Sequence, residues 1–88
     1  MINEYVKKPV KITAVQWDGK NIDEIMKFLG WRNADHDERN GLVIRTLEGN
    51  HNANIGDFII MGVAGEFYPC DNDIFKATYY TQDEYAAL

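Results

Sequence analysis

The sequence predicts an α+β domain with a small antiparallel sheet, one main helix packed on one face of that sheet, and a short C-terminal helix. Three observations predict this class: apolar alternation near the N-terminus, one strongly amphipathic segment, and several short β-like runs separated by turn residues. The 88 residues suit a single domain, residues 1–88, with one modest core.

The first strand is expected in PVKITAVQW, residues 9–17, where β-branched side chains alternate with other residues. Pro9 stands at the entrance of this strand, where no N–H is needed for the ladder. The DGKN segment that follows is a turn, for which Gly19 supplies the conformational freedom.

The main helix is expected in NIDEIMKFLG, residues 21–30. Asn21 and Glu24 have the spacing of a capping box, and Gly30 is a typical C-terminal cap. An apolar stripe with helical periodicity is formed by Ile22, Ile25, Met26 and Leu29. Trp31 follows the glycine and is expected to pack back on the last turn.

The next segment, RNADHDERNG (residues 32–41), is polar and lacks periodicity, which predicts a surface loop. With Trp31 before it, this loop occupies residues 31–40. LVIRTLEG then has strand character over residues 42–49. After the EGN turn, HNANI (residues 51–55) can pair back weakly on that strand.

A β-hairpin is expected in GDFIIMGVAGEFYPC, residues 56–70. The continuous apolar run FIIMGV predicts a strand that is covered on both faces. A type I′ turn would force Ala64 to a positive φ, so a type I turn with a left-handed Gly65 fits better.

The C-terminal segment CDNDIFKATYY predicts a short helix capped by Asp71 or Asn72, and its apolar side is expected to face the sheet through Ile74, Phe75 and either Thr78 or Tyr79. TQDE has the spacing of a second capping box, formed by Thr81 and Glu84. This box opens a last helical turn.

The net charge of −5 is unevenly distributed, because Lys76 is the only basic residue after Arg45. An acidic half repels phosphate backbones, so nucleic-acid binding is disfavoured; mimicry of DNA by an acidic face is a weaker alternative. The composition shows no membrane span and no secretory signal. A single cysteine excludes an intrachain disulfide, and a cytoplasmic location is expected.

Four segments resemble a family of small, uncharacterised phage and prophage proteins related to those named for a Pro-Gly-Asp-Tyr-Gly motif: KKPVKITAVQWDG, NIDEIMKFLG, GLVIRTLEG and GDFIIMGVAGEFYPCDNDIFKATY. They cover most of residues 7–79. This chain has Ile55 in place of the motif's proline and Phe58 in place of its usual tyrosine, while Gly56 and Asp57 are kept. The resemblance implies a phage-encoded accessory protein in the bacterial host cytosol and brings no established activity with it.

Catalytic and metal-binding chemistry is weakly supported by the sequence. Cys70 is a nucleophile only if His36 or His51 lies beside it and its thiol pKa is lowered. The DHDE segment (residues 35–38) lacks the closely spaced soft ligands of zinc sites. Asp57 and Glu66 flank one hairpin, but turn capping explains both carboxylates more simply. We therefore expect no catalytic residue, metal or cofactor.

A set of aromatic and neighbouring residues is the stronger candidate for an interface or a ligand site, because tyrosine and tryptophan are enriched at interfaces. The set is Trp17, Asp18, Trp31, Phe67 and Tyr68. It forms an exposed patch if the end of the first strand lies beside the hairpin. Packing within the core and at its rim is the alternative.

Together these observations predict a non-enzymatic accessory protein that acts by protein–protein interaction. The expected partner is a host or phage protein, such as a replication, transcription or defence component, and a homo-oligomer is plausible. The alternative is a binding protein that sequesters a nucleotide-like small molecule of host defence, by stacking on Trp17, Trp31 or Tyr68.

Overall fold

The strands form two three-stranded antiparallel sheets in the computed structural model, which describes residues 1–88. The strands are β1 (Thr13–Gln16), β2 (Ala34–Asp37), β3 (Gly41–Thr46), β4 (Gly49–Ala53), β5 (Phe58–Met61) and β6 (Phe67–Cys70). The helices are α1 (Ile22–Leu29), α2 (Asn72–Thr78) and α3 (Gln82–Ala86). The first sheet has the order β1-β5-β6, and the second has the order β2-β3-β4.

The predicted fold class, one small sheet with a main helix packed on one face, is therefore wrong. The fold is mostly β, since about 23% of the residues are helical. The helix α1 has only eight residues, and its apolar stripe enters a core that both sheets share. The α+β prediction assumed that all the strands join one sheet. Strand-like segments in a sequence do not determine which strands pair with one another.

The strand β2 explains much of this difference, because it lies inside the predicted surface loop. It pairs with β3, and Ala34 stands opposite Ile44. Only Ala34 among its four residues is buried, so this edge strand is polar along most of its length and carries no hydrophobic pattern. The turn after it is closed by Asp37, which accepts the N–H groups of Arg39 and Asn40.

The central strand of the first sheet is β5, and its two faces are both covered, as the apolar run predicted. Ile59 and Ile60 point to opposite faces, and both are fully buried. Ile59 belongs to the core between the sheets, while Ile60 lies on the face that carries Phe58. The first sheet therefore needs packing partners on both sides.

One hydrophobic core holds the sheets and α1 together. It contains nine buried residues from β1's end, α1, the second sheet and β5: Trp17, Ile25, Met26, Leu29, Ala34, Leu42, Ile44, Ala53 and Ile59. Val15 and Phe67 of the first sheet pack against this cluster from its side. The second sheet contributes its inner face, while its outer face carries the Arg45–Asp35 ion pair.

The junction between β1 and α1 depends on Asn21, although not in the predicted way. Its side chain makes no capping hydrogen bond to the helix, so the capping box with Glu24 is wrong. Instead, Asn21 Oδ1 accepts from the Asp18 N–H at 2.9 Å, and Nδ2 donates to the Gln16 carbonyl at 2.8 Å and to Glu24 Oε1 at 2.7 Å. Asn21 thus ties the end of the strand to the start of the helix.

The hairpin of β5 and β6 is confirmed, and its turn has the predicted backbone. Gly65 has a φ of 80°, and no residue other than glycine has a positive φ, which excludes the type I′ turn. The Glu66 carboxylate folds over Gly62 and accepts the Ala64 N–H at 3.0 Å. A Cβ at Gly62 would overlap that carboxylate, so the missing side chain makes room for it.

The two C-terminal helices begin as predicted. Asp71 caps α2 by accepting the N–H groups of Asp73 and Ile74, and Thr81 with Glu84 forms a complete capping box at α3. Phe75 faces the sheet, whereas Ile74 is exposed, so the prediction for Ile74 is wrong. None of the helices in the structure has the length and apolar character that crossing a membrane requires.

Replacing Asn21 with aspartate tests the junction, because aspartate is normally as good an N-cap as asparagine. At Asn21 the side chain must donate, and a carboxylate can donate neither to the Gln16 carbonyl nor to Glu24. We expect Asn21→Asp to lower the free energy of unfolding at pH 7 by about 1–3 kcal/mol in urea denaturation.

The matched control is Asp71→Asn at the start of α2, where the side chain only accepts hydrogen bonds. We expect this variant to stay within about 0.5 kcal/mol of the wild type, since asparagine and aspartate cap equally well. Equal losses in the two variants would contradict the role assigned to Asn21.

A double-mutant cycle tests the hairpin turn. Gly62→Ala should displace the Glu66 carboxylate from the Ala64 N–H and cost about 1 kcal/mol of stability. In a Glu66→Ala background the added Cβ has room, so the same Gly62→Ala change should cost much less. Additive losses in thermal or urea denaturation would show that the two residues do not compete for this space.

Candidate functional site

The structure separates the five residues that the sequence grouped as one aromatic patch. Trp17 is only 3% exposed and lies in the core, where its ring and that of His36 form a T-shaped pair with 5.5 Å between centroids. Asp18 forms the turn before α1 by accepting the N–H groups of Lys20 and Asn21. Trp17 is therefore part of the core, while Asp18 stays at the surface as a turn residue.

Phe67 and Tyr68 lie on opposite faces of β6, and β5 separates them from β1. Phe67 packs on the core, with its ring at 5.5 Å from that of Phe28 in an edge-to-face arrangement. Tyr68 is half-buried on the other face. Burial and a hydrogen bond with Tyr79 raise the pKa of Tyr68 to about 12, so its hydroxyl stays protonated.

Trp31 stands apart from the others, because it is 71% exposed beyond the end of α1. It does not pack back on the last turn, contrary to the prediction. The main chain near it is held by Arg45, which donates to the carbonyls of Trp31 and Arg32. The structure thus fixes the backbone at this position and leaves the indole ring in solvent.

A larger surface feature lies on the other side of the first sheet, between β1 and the two C-terminal helices. This C-terminal groove has a volume of about 540 Å³. Its lining comes from β1 and the residue before it, from β5, and from α2, α3 and their link: Ile12, Ala14, Phe58, Phe75, Lys76, Tyr79, Tyr80, Thr81, Gln82 and Glu84.

Stacked aromatic rings form one wall of the C-terminal groove. Phe75 lies parallel to Phe58 with 3.9 Å between ring centroids, and Tyr79 stacks on Phe75 at 4.9 Å. Phe75 and Tyr79 are four residues apart, which places them on the same side of α2 and its C-terminal extension. This stack covers the face of the first sheet that Ile60 occupies.

The start of α2 is anchored to β1 by a side-chain amide. Gln16 Nε2 donates to the Gly56 carbonyl at 3.1 Å and to Asn72 Oδ1 at 3.4 Å. Because Gln16 ends β1, these bonds link the groove's strand wall to its helical wall. Together with the stacking of Phe75 on Phe58, these bonds hold the start of α2 beside the first sheet.

The charges at the C-terminal groove are mixed. Lys76 belongs to its lining, and the Lys7 ammonium lies 5.8 Å from the centroid of the Tyr79 ring, within cation–π range. Glu84 is the acidic member of the lining. Hydrogen bonds from Thr81, first from its backbone N–H and then from its hydroxyl in order of effect, lower the pKa of Glu84. Its carboxylate therefore stays ionised at neutral pH.

A second, smaller groove of about 340 Å³ lies between the β3–β4 hairpin and β6. It contains Tyr68 and Phe67 from the sequence-predicted set, together with Thr46, Leu47, Glu48, His51, Glu66 and Pro69. With two carboxylates and few apolar side chains, this groove offers less apolar contact area than the C-terminal groove.

The structure gives Cys70 none of the activation that a nucleophile needs. Burial, followed by the charges of Asp71 and Asp57, raises the pKa of the thiol, and Sγ lies 3.6 Å from the Asp71 carbonyl. The candidate bases His36 and His51 lie on the second sheet, whereas Cys70 ends β6 in the first sheet. Thiolate formation is thus disfavoured at neutral pH.

The other candidate chemistries find no clustered groups. Asp57 precedes β5 and Glu66 precedes β6, and antiparallel pairing places them at opposite ends of the hairpin. Asp57 accepts the Asn54 N–H at 2.8 Å and Glu66 accepts the Ala64 N–H, so both carboxylates cap turns. Nowhere do three His, Cys, Asp or Glu side chains come together as a metal site would require.

The sequence interpretation did not identify the C-terminal groove. It expected Phe75 and either Thr78 or Tyr79 to face the sheet, and the structure stacks Phe75 and Tyr79 there, but it did not foresee a groove beside them. The signal that was present is the density of aromatic residues at positions 75, 79, 80 and 85. These four aromatic residues lie in α2, α3 and the link between them, opposite a sheet face built from strands of only four residues.

Comparisons with protein-family models, with curated proteins and with solved structures found no match for this chain. The resemblance to phage and prophage proteins therefore stays a prediction from the sequence. The function has to be argued from the geometry of the chain itself.

Proposed function

We propose that this protein is a non-enzymatic interaction protein that binds another protein chain through the C-terminal groove. The observation that carries the proposal is the open aromatic wall of Phe75, Tyr79 and Tyr80 beside β1. Tyr80 is 61% exposed at this wall, so a flat apolar ring is available to a partner. Aromatic side chains with a polar end are the residues that protein interfaces favour.

One further aromatic side chain extends the exposed surface of the groove. Tyr85 of α3 is 54% exposed, and its ring lies 6.2 Å from that of Tyr80 between centroids. Contiguous exposed apolar surface is uncommon on proteins that act alone and usually marks an interaction site. A protein partner, with its large contact area, suits such a surface better than a small ligand does.

The titratable groups of the groove support a role without catalysis. A carboxyl group acts as a general acid or base at neutral pH when its pKa is raised, and a thiol acts as a nucleophile when its pKa is lowered. Glu84 has its pKa lowered and is engaged in the α3 capping box. Cys70, the one nucleophilic thiol, has its pKa raised. These directions are opposite to what catalysis would require.

The proposal also takes the protein to be phage-encoded and to act in the bacterial host cytosol. This part is supported by the resemblance of four sequence segments to phage and prophage proteins. The partner is then a host or phage protein that offers apolar side chains to the groove.

A second candidate function is the binding of a nucleotide-like small molecule. One observation favours it: Lys7 lies 5.8 Å from the centroid of the Tyr79 ring, and Lys76 lines the same groove. A nucleotide-like ligand needs a cation for its phosphate and a ring for its base. Against it, the ionised Glu84 lies in the same groove and would repel a phosphate.

Native mass spectrometry of the untagged protein, purified from bacterial cytosol, distinguishes the two functions. A protein-binding role predicts a complex that contains a second protein chain. A bare single chain of 10.1 kDa would overturn the proposal. A single chain that retains a few hundred daltons of extra mass would favour the small-molecule function instead.

Two exposed residues provide the matched variants for this experiment. Tyr80→Glu places a charge in the groove and should weaken the complex by about 2 kcal/mol, or roughly thirtyfold in Kd. Val63→Glu changes another exposed apolar residue, in the β5–β6 turn, and should leave the complex intact. Equal effects of both variants, with unchanged circular dichroism, would place the interface elsewhere.

The reactivity of Cys70 provides an independent test of the non-enzymatic role. Because the pKa of its thiol is raised, its alkylation by iodoacetamide at pH 8 should be slower in the folded protein than in urea, with a higher pH midpoint. Asp71→Asn should lower that midpoint only partly, since burial is the larger cause. Faster alkylation in the folded state would indicate an activated thiol and contradict the proposal.

A further inference from the structure

We propose that the C-terminal groove binds residues 1–12 of a second copy of this chain, so that two copies exchange these segments reciprocally. We call residues 1–12 the arm. This inference rests on the proposed function, because it names the protein partner of the same groove. The evidence is the exposure of the arm, the charges of arm and groove, and the point at which the arm leaves the fold.

The arm carries apolar side chains that nothing covers. It forms neither helix nor strand, and Met1, Ile2, Tyr5 and Val6 are each at least 87% exposed. Four large apolar side chains within six residues are costly to leave in water, since apolar surface is stabilised by burial. A groove with apolar and aromatic lining offers them that burial.

The arm and the C-terminal segment, residues 71–88, carry opposite net charges, while the groove lining itself holds one base, Lys76, and one acid, Glu84. The arm has three lysines, Lys7, Lys8 and Lys11, and one acidic residue, Glu4. Residues 71–88 have the opposite balance, with four carboxylates and Lys76 as the single base. Opposite potentials on two surfaces guide their association and disfavour partners of the wrong sign.

The arm leaves the fold at the groove itself. Ile12, its last residue, belongs to the groove lining, and Lys7 already lies over the Tyr79 ring. Within one chain, residues 1–6 make no such contact with the groove and are exposed to solvent. A second copy related by a two-fold axis near Ile12 would bring its arm to this groove, and reciprocal exchange would satisfy both copies.

The reach of the arm is sufficient for this exchange. Twelve extended residues span up to about 40 Å, and the longest dimension of the whole molecule is 44 Å. The arm leads directly into β1, which is an edge strand with no partner on its outer side. The segment is therefore long enough to lie across a neighbouring copy.

Size-exclusion chromatography with light scattering, on the full chain, tests this inference. The wild type should be a dimer. Val6→Glu in the arm and Tyr80→Glu in the groove should each raise the dimer Kd by about thirtyfold or more. Val63→Glu, in the exposed hairpin turn, should remain dimeric. All three positions are exposed in the single chain, so circular dichroism should show that each variant folds.

Mixing the two defective variants gives the decisive measurement. In an equimolar mixture, the intact arm of the Tyr80→Glu copy can enter the intact groove of the Val6→Glu copy. One functional pair per heterodimer should restore much of the association that neither variant shows alone. An interface that does not use arm and groove in trans would give no such complementation.

The outcomes separate this inference from the proposed function. A wild-type dimer that Tyr80→Glu disrupts, but Val6→Glu does not, would overturn the arm while the groove remains a protein-binding site. A monomer that forms a complex only with a different protein would also overturn the arm and leave the proposed function standing. A wild type without any protein complex would overturn both.

Discussion

The burial of β5 on both faces is the constraint on which the rest of the structure depends. Ile59 and Ile60 are adjacent, point in opposite directions and are both inaccessible to solvent. Ile59 is buried in the core that α1 and the second sheet form with the first sheet. Ile60, on the other face, needs a separate layer of packed residues. A three-stranded sheet cannot supply that cover itself, so the chain must return across it after β6.

The C-terminal groove follows from how that cover is made. Two short helices, of seven and five residues, place Phe75 against Phe58 and leave the rest of the face beside β1 open. Their caps fix where each helix begins, and Gln16 fixes α2 against the sheet. The C-terminal helices therefore cover only part of this sheet face. The part left open is an apolar groove with a defined shape.

Local features were predictable from the sequence, and long-range pairing was not. The turn at Gly65, the cap at Asp71 and the capping box at Thr81 each depend on a few neighbouring residues, and all are present. The second sheet was missed because β2 is an edge strand with one buried residue, Ala34, and so has no hydrophobic alternation. The sequence left Trp17 open between an exposed patch and core packing, since burial depends on which elements meet, and the structure places it in the core.

The small size of the core links stability to association. Only 11 of the 88 residues are buried, while large apolar side chains are exposed both at the groove and at the N-terminal end. Any partner that binds the folded chain, and not the unfolded one, stabilises it in proportion to the logarithm of its concentration relative to Kd. Covering the groove would also complete the packing on the Ile60 side of β5. A partner that binds the C-terminal groove, the surface of the proposed function, would therefore also increase the stability of the fold.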